Sequence, residues 1–362
     1  VFFVCFLGLF VIIHFTMNES KNANPFAISV VIPAYNSAAH IGRAIDSVLA
    51  QTQPPAEIIV VDDGSTDDTP RIVQGYGDQV RRIEQANAGA SAARNTGILA
   101  ARGDWIALLD ADDEWLPTKL ALQTAILQRY PHLSWVTGNY LTCSCNEHRQ
   151  APYIRPHEAQ KRLIDGLWTA DYLLTFAQGL GGHTDTMLIR KAVLLEAGLF
   201  RPEQPKANDL DMWWRVAYLQ PAAGYVAEPT AIYHLAVPNS ISKRPVNAEH
   251  YCDLISRHWA LARQYGRLDS FQTMASHVLR RWLRSMLFDA QAQDIRRILT
   301  EFQTLFPTWY RLWMHLLTTV PNATAAGCHG LSKIVRRFHL RRRVVLPPAP
   351  RQGDSQGDKW SD

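Results

Sequence analysis

Three short apolar runs, each stopping at a proline or an aspartate, limit most sharply what this chain can fold into. They are Ile28–Pro33 (ISVVIP), Glu57–Val61 (EIIVV) and Trp105–Leu109 (WIALL). A run that is apolar on both sides fits a strand covered on both faces, the condition of a parallel sheet. The intervening segments have helical character. His40–Ala50 places Ile41, Ile45, Val48 and Leu49 on one face, Thr69-Pro70 reads as an N-cap followed by proline at the first helical position, and Ser91–Ala101 is a third helix. Arg81–Glu84 adds a short strand. This alternation predicts an α/β domain with a mainly parallel central sheet and right-handed connections. Ligands of such sheets gather at the carboxyl ends of the strands. Two acidic clusters stand there: Asp62-Asp63-Gly64-Ser65 and Asp110-Ala111-Asp112-Asp113.

Further along, the pattern predicts a helix over Pro117–Tyr130, strands at Ser134–Thr137 and Thr186–Arg190, and a helix over Lys191–Ala197. An amphipathic helix over Asp209–Leu219 and a strand over Tyr225–Tyr233 close the domain. Residues 140–165 give no pattern, and 250–317 are helical throughout. The expected organisation is an extension over 1–26, an α/β domain over 27–245, a helical region over 246–343 and an unfolded tail over 344–362. Residues 1–15 are apolar but shorter than the roughly 20 residues of a membrane span, and they lack the charged start and cleavage site of a secretory signal. Met17 is the expected natural start.

The chemistry follows from what the strand ends carry. Pro33-Ala34-Tyr35-Asn36 and Asp62-Asp63-Gly64-Ser65 end neighbouring strands and form one cleft, where a carboxylate can accept from a nucleobase or ribose and a ring can cover a base. The same residues also suit two ordinary turns. Asp110 and Asp112, two apart, project the same way. Crowded carboxylates repel unless a cation joins them, and a hard divalent ion bridges carboxylates to a diphosphate. A solvated acidic turn, with Asp113 capping the next helix, is the alternative. Arg94, near a helix start, can reach phosphates, or can be an exposed helix arginine.

VVIPAYN, SVLAQT, EIIVVDDGSTDDT, NAGASAARNTGI and GDWIALLDADDEW-LPTKL follow one another over residues 30–120 and resemble the ordered motifs of family 2 glycosyltransferases. That resemblance implies a GT-A fold and an inverting transfer from a nucleotide sugar. It implies that Pro33, Tyr35 and Asp63, with Asn36 beside them, hold the nucleoside, and that Asp110 approaches the ribose or the metal. Asp112 becomes the principal protein ligand of Mn2+ or Mg2+. The segment Asn208-Asp209-Leu210-Asp211-Met212-Trp213-Trp214-Arg215 is similar to the family's acceptor side, where Glu-Asp is usual. The likeness places the catalytic base at Asp209, with Asp211 as fallback. Gly181-Gly182-His183-Thr184-Asp185 stands where an acceptor loop would be, so His183 and Asp185 are candidate acceptor contacts or parts of a plain loop, and Trp213 is a candidate ring for sugar stacking or a core residue of an amphipathic helix. His234 has two readings, a structural histidine or a further metal or phosphate contact. A nucleotidyltransferase would bring a glycine-rich phosphate loop after the first strand, which VIPAYNSAAH lacks. A binding module without turnover would lack the base.

The net charge of +4 is too small to imply a nucleic-acid partner. Between Lys333 and Arg351 there are seven basic residues and no acidic one. Arginines interleaved with apolar residues fit a peripheral contact with an anionic membrane through 333–343, or a solvated helical face. The membrane contact would suit a lipid-linked glycan acceptor, cell-envelope polysaccharide synthesis and a cytoplasmic enzyme at the inner membrane face, adding one sugar at a time. The five cysteines suggest free thiols rather than a disulfide framework.

Overall fold

The structure is a computed structural model that describes residues 26–144, 149–204, 206–235, 248–319 and 324. The extension over 1–25, the basic stretch 333–343 and the tail lie outside the described residues. The chain divides into two compact units, the first reaching Ala275 and the second starting at Ser276.

In the first unit the strands and helices alternate as the apolar runs require: β1 (Ile28–Ala34), α1 (Ile41–Leu49), β2 (Glu57–Asp62), α2 (Thr69–Gln74), β3 (Arg81–Glu84), α3 (Ala90–Ala100) and β4 (Trp105–Leu108). All seven residues of β1 are buried, as expected of a strand covered on both faces. Then follow β5 (Glu114–Trp115), α4 (Lys119–Arg129), β6 (Trp135–Ser144), β7 (Arg149–Pro152), α5 (Pro156–Gln160), β8 (Trp168–Thr169) and α6 (Tyr172–Ala177). The unit continues with β9 (Leu188–Arg190), α7 (Lys191–Glu196), α8 (Asn208–Leu219), β10 (Ala223–His234), α9 (Ala248–Gln264) and the start of α10 (Leu268–Phe288).

Among the described residues ten strands form one sheet, in the order β3-β2-β1-β4-β9-β6-β10-β5, with β7 on β6 and β8 on β10. The first four strands are parallel. The sheet is mixed beyond them: β9 runs antiparallel to both β4 and β6, while β6 and β10 are parallel. The segment without a sequence pattern becomes the long end of β6 and the pieces β7 and α5. β7 folds back on β6, and the end of β6 pairs with the distant β10, which local periodicity does not reveal.

α3 lies against β1 and β2 where Gly97 faces Val31; a Cβ at Gly97 would fall 2.3 Å from Val31 Cγ1. Gly97 therefore serves helix–sheet packing. The first unit runs past the boundary expected at 245 because α9 is bonded to α8. His258, fully buried, meets Asp211 at 3.0 Å and the Tyr218 hydroxyl at 3.0 Å. In the second unit, α10 is followed by α11 (Ala292–Glu301) and α12 (Thr308–Leu317).

Candidate active site

The β1–α1 and β2–α2 loops are stitched together. Asn36, at φ 47°, accepts from Thr66 N–H at 2.8 Å and donates its own N–H to Ser65 Oγ at 3.0 Å. Ser37 N–H reaches Thr69 Oγ1 at 2.8 Å and Ala38 N–H reaches Asp67 at 3.0 Å. Tyr35, at the tip of the β1–α1 loop, is 50% exposed.

Asp63 is buried and holds the loop ahead of α3. It accepts from Gln85 Nε2 (2.8 Å), Ala88 N–H (2.9 Å) and Gly89 N–H (2.8 Å). Thr96 on α3 donates to Gln85 at 2.6 Å, and Asn95 exchanges two hydrogen bonds with the backbone of Phe200 at 2.8 and 2.9 Å. The run Asn87–Gly97 thus fixes α3 against β2, the sheet and the turn before α8. Both Asn36 and Asp63 spend their polar atoms on loop geometry.

That framework aims Arg94. One of its Nη atoms donates to Asp110 Oδ1 at 2.5 Å, while Nε and the other Nη are buried with no protein partner among the described residues. Burial works against its charge, but Asp110, and behind it Asp209 and Asp185, more than offset that and raise the pKa. Buried N–H groups of a guanidinium are costly when unbonded, so two of them beside a carboxylate pair form an incomplete anion site.

Asp112, next to Asp110, has its carboxyl pushed up to about 6, first by burial and then by the charges of Asp110 and Asp185. A second acidic group lies behind. Asp113, His183 and Asp185 bring ligand atoms within 4.8 Å of one another. Asp185 is fully buried, accepts the Asp110 N–H at 2.8 Å and meets His183 Nδ1 at 2.6 Å. Burial alone would depress the His183 pKa, but the Asp185 carboxylate carries it up to about 9. Burial and the adjacent Asp185 charge raise the Asp113 pKa, so the proton of this pair resides on Asp113. Asp113 also accepts the His234 N–H at 2.8 Å, and His234 Nε2 pairs with Glu114 at 2.9 Å, which is the structural reading of that histidine.

The predicted residues separate here. Arg94, Asp110, Asp112, His183, Asp185 and Asp209 come together: the charge of Asp209, in the first turn of α8, bears on both Arg94 and His183. Asn208, standing where glutamate was expected, donates to Ser91 Oγ at 2.8 Å and ties α8 to α3. Asp211, the fallback base, and Trp213 do not join this group. Asp211 is fully buried between Arg215 (2.5 Å), Arg201 (3.2 Å) and His258 (3.0 Å), and Trp213 is buried against Phe200. Helical periodicity explains this: positions 211 and 215 lie one turn apart on the face turned inward, and 209 lies off it.

A feature that the sequence did not reveal is an aromatic wall around His183. Tyr233 lies at 4.4 Å and Tyr140 at 5.3 Å between ring centroids, and Tyr153 stacks on Tyr140 at 4.9 Å. Those rings come from β6, β10 and the stretch after β7, so only sheet pairing assembles them.

Residues 29–195 match the family model described as Glycosyl transferase family 2. Among known proteins, the chain is 32% identical over 196 residues to an uncharacterized glycosyltransferase of Rickettsia felis, across 54% of this chain and 32% of that one. It therefore spans about a third of that relative's length. It is 50% identical over 95 residues to the succinoglycan biosynthesis protein ExoO of Rhizobium meliloti, covering 26% of this chain and 27% of the other. Among solved structures, S. aureus TarS 1-349 in complex with UDP-GlcNAc is similar in fold, with TM-score 0.60 at 17% identity, over 86% of this chain and 92% of that one.

Proposed function

We propose that residues 29–195 act as a family 2 glycosyltransferase domain of the GT-A fold, and that the protein transfers a sugar, with inversion, from a nucleoside diphosphate to a hydroxyl of a glycan or lipid-linked glycan. The observation that carries this reading is Arg94, buried with two unbonded nitrogens beside Asp110 and Asp112. A diphosphate satisfies the guanidinium. UDP is the first candidate nucleotide, because the structural relative binds UDP-GlcNAc. The succinoglycan relative supports a polysaccharide acceptor.

A divalent cation fits the same place. Asp112, pushed up to about 6 among other carboxylates, is an oxygen ligand with uncompensated charge. Asp110 and Asp112 would hold Mn2+ or Mg2+, with His183 and Asp185 behind them. When bound, the ion supplies charge neutralisation for the departing diphosphate.

The remaining work belongs to the chain. Tyr35 covers the base, while Pro33, Asn36 and Asp63 shape the loops around the nucleoside. Arg94 orients the diphosphate. The acceptor oxygen forms its bond to the anomeric carbon as the bond to the diphosphate breaks. The electron pair leaves with the diphosphate, and the hydroxyl proton passes to Asp209. The rings of Tyr140 and Tyr233 flank the acceptor.

The test uses the full chain, a panel of nucleoside-diphosphate sugars and Mn2+, with nucleotide release and UDP binding measured separately. Asp112→Ala weakens UDP binding. Asp209→Asn keeps UDP binding and abolishes transfer; transfer at the normal rate by this variant would remove Asp209 from the base role. Failure of every nucleotide to bind would overturn the whole reading.

A further inference from the structure

The second unit ends its described part in a helix with an unusual outward face. In α12 the residues Trp309, Leu312, Trp313 and Leu316 follow the spacing i, i+3, i+4, i+7, which lays them along one stripe. They are 66%, 66%, 54% and 61% exposed. The opposite side, Tyr310 and Met314, is buried. Single exposed leucines are ordinary on protein surfaces, but two tryptophans and two leucines in one row form a contiguous apolar patch.

Arginines stand on α10 and α11, the helices beside α12. Arg280 lies over the Tyr310 ring at 5.3 Å, and Arg284 bears on the Tyr310 hydroxyl as well. Arg281 and Arg284 on α10, and Arg296 and Arg297 on α11, are exposed. The sequence from Phe302 to Gly353 contains eight lysines and arginines and no acidic residue. Among the described residues no helix is long and apolar enough to cross a membrane. An apolar stripe with tryptophans, flanked by arginines and too short to span, has the chemistry of a helix that lies in a bilayer interface. Indole rings favour that position, with the ring in the acyl boundary and the N–H toward the headgroups. A second copy of the chain would bring like charge against like charge, whereas anionic headgroups complement it.

We propose that the Trp309/Leu312/Trp313/Leu316 face of α12 docks on an anionic phospholipid bilayer. The stripe enters the interface and the neighbouring arginines meet lipid phosphates. The inference does not depend on the transferase reading, since no residue of α12 belongs to the proposed active site.

The experiment is flotation of the full chain with vesicles of phosphatidylcholine alone or mixed with phosphatidylglycerol. Wild-type protein is expected to float with the mixed vesicles, and less so at high salt, because exposed charge pairing is screened. The double variant Trp309→Ser/Trp313→Ser is expected to lose about tenfold or more in bound fraction, through loss of two interfacial rings. Because both side chains are exposed, its circular dichroism and melting temperature stay those of the wild type. Leu195→Ser, an exposed site on α7, leaves binding unchanged. UDP binding without vesicles, measured on the same proteins, separates this result from the transferase reading. Equal flotation of the double variant would overturn the proposal, as would absence of flotation in the wild type. A concentration-dependent dimer that the double variant abolishes would assign the face to a second copy instead.

Discussion

Arg94 and Asp110 meet at 2.5 Å across 16 residues of sequence, joining the helix after β3 to the end of β4. The bond occupies one guanidinium nitrogen and leaves two buried and unbonded. The arginine is held in place by Asp110 while still short of partners, which is the condition of a preorganised anion site.

Arg94→Ala should therefore weaken UDP binding by about 10- to 100-fold, the worth of one or two charge-assisted hydrogen bonds. Arg94→Lys should recover only part of that, because an ammonium lacks the planar fork. Isothermal titration with UDP and Mn2+ measures both. Unchanged affinity in Arg94→Ala would place the diphosphate elsewhere.

Asp112 gives a pH dependence of unusual sign. Its folded pKa, about 6, lies above the ordinary value of 3.8, so the folded state binds the extra proton. Stability from this group is full below the ordinary value and is lost as pH rises through about 6. Compared with wild type, Asp112→Asn should gain stability as pH rises from 4 to 7, by up to about 3 kcal/mol without divalent cation. Added Mn2+ should raise the wild-type melting temperature more at pH 7 than at pH 5. Thermal melts of both proteins across that range decide it.

Asp211 behaves oppositely. Burial opposes its charge, but His258 and Arg215 win and hold its carboxyl down to about 2. The stability it contributes is present above the ordinary carboxylate range and is lost as pH falls through about 2. Asp211→Ala leaves buried cations unpaired and should cost about 3–5 kcal/mol in denaturant unfolding. Asp209→Asn should leave stability within about 0.5 kcal/mol of wild type. A matching loss in both variants would contradict the separation of base and scaffold on α8.

Gly182 precedes His183 where a Cβ would lie 1.8 Å from Thr137 Oγ1. Gly182→Ala should cost about 2 kcal/mol or more through overpacking, and should weaken UDP binding by displacing Asp185 from the Asp110 N–H. Gly42→Ala, on α1 with its nearest neighbour at 3.5 Å, should be neutral or stabilising. Equal melting temperatures for the two variants would show the 182 loop to be free to move.

Legibility followed the range of the interactions. The strands at Ile28, Glu57 and Trp105 stand where apolar runs predict them, because burial on both faces writes a continuous apolar string, whereas the exposed β3 at Arg81 carries no such run. The strand at Thr186–Arg190 was legible, but the antiparallel direction of β9 was not: three residues carry no direction, and its place between β4 and β6 is a matter of partners far away in sequence. The burial of Asp211 was not legible, because a carboxylate in a first helical turn reads alike whether it faces solvent or Arg215. Asp113 read as a cap, while its closeness to Asp185 and His183 depends on β9's approach.

The amino-acid order by itself determined the parallel core, the strand-end loops and the motif string that carries Arg94, Asp110 and Asp112. These rest on periodicity and turn chemistry within a few residues, which a chain expresses locally. Only the tertiary structure decided that Asp185 would accept the Asp110 N–H from 75 positions away, that tyrosines from separate strands would surround His183, and that one aspartate of α8 would face the cleft while its neighbour was sealed among cations. Those outcomes follow from which faces are buried together, and burial is a property of the assembled sheet and helices rather than of any single segment.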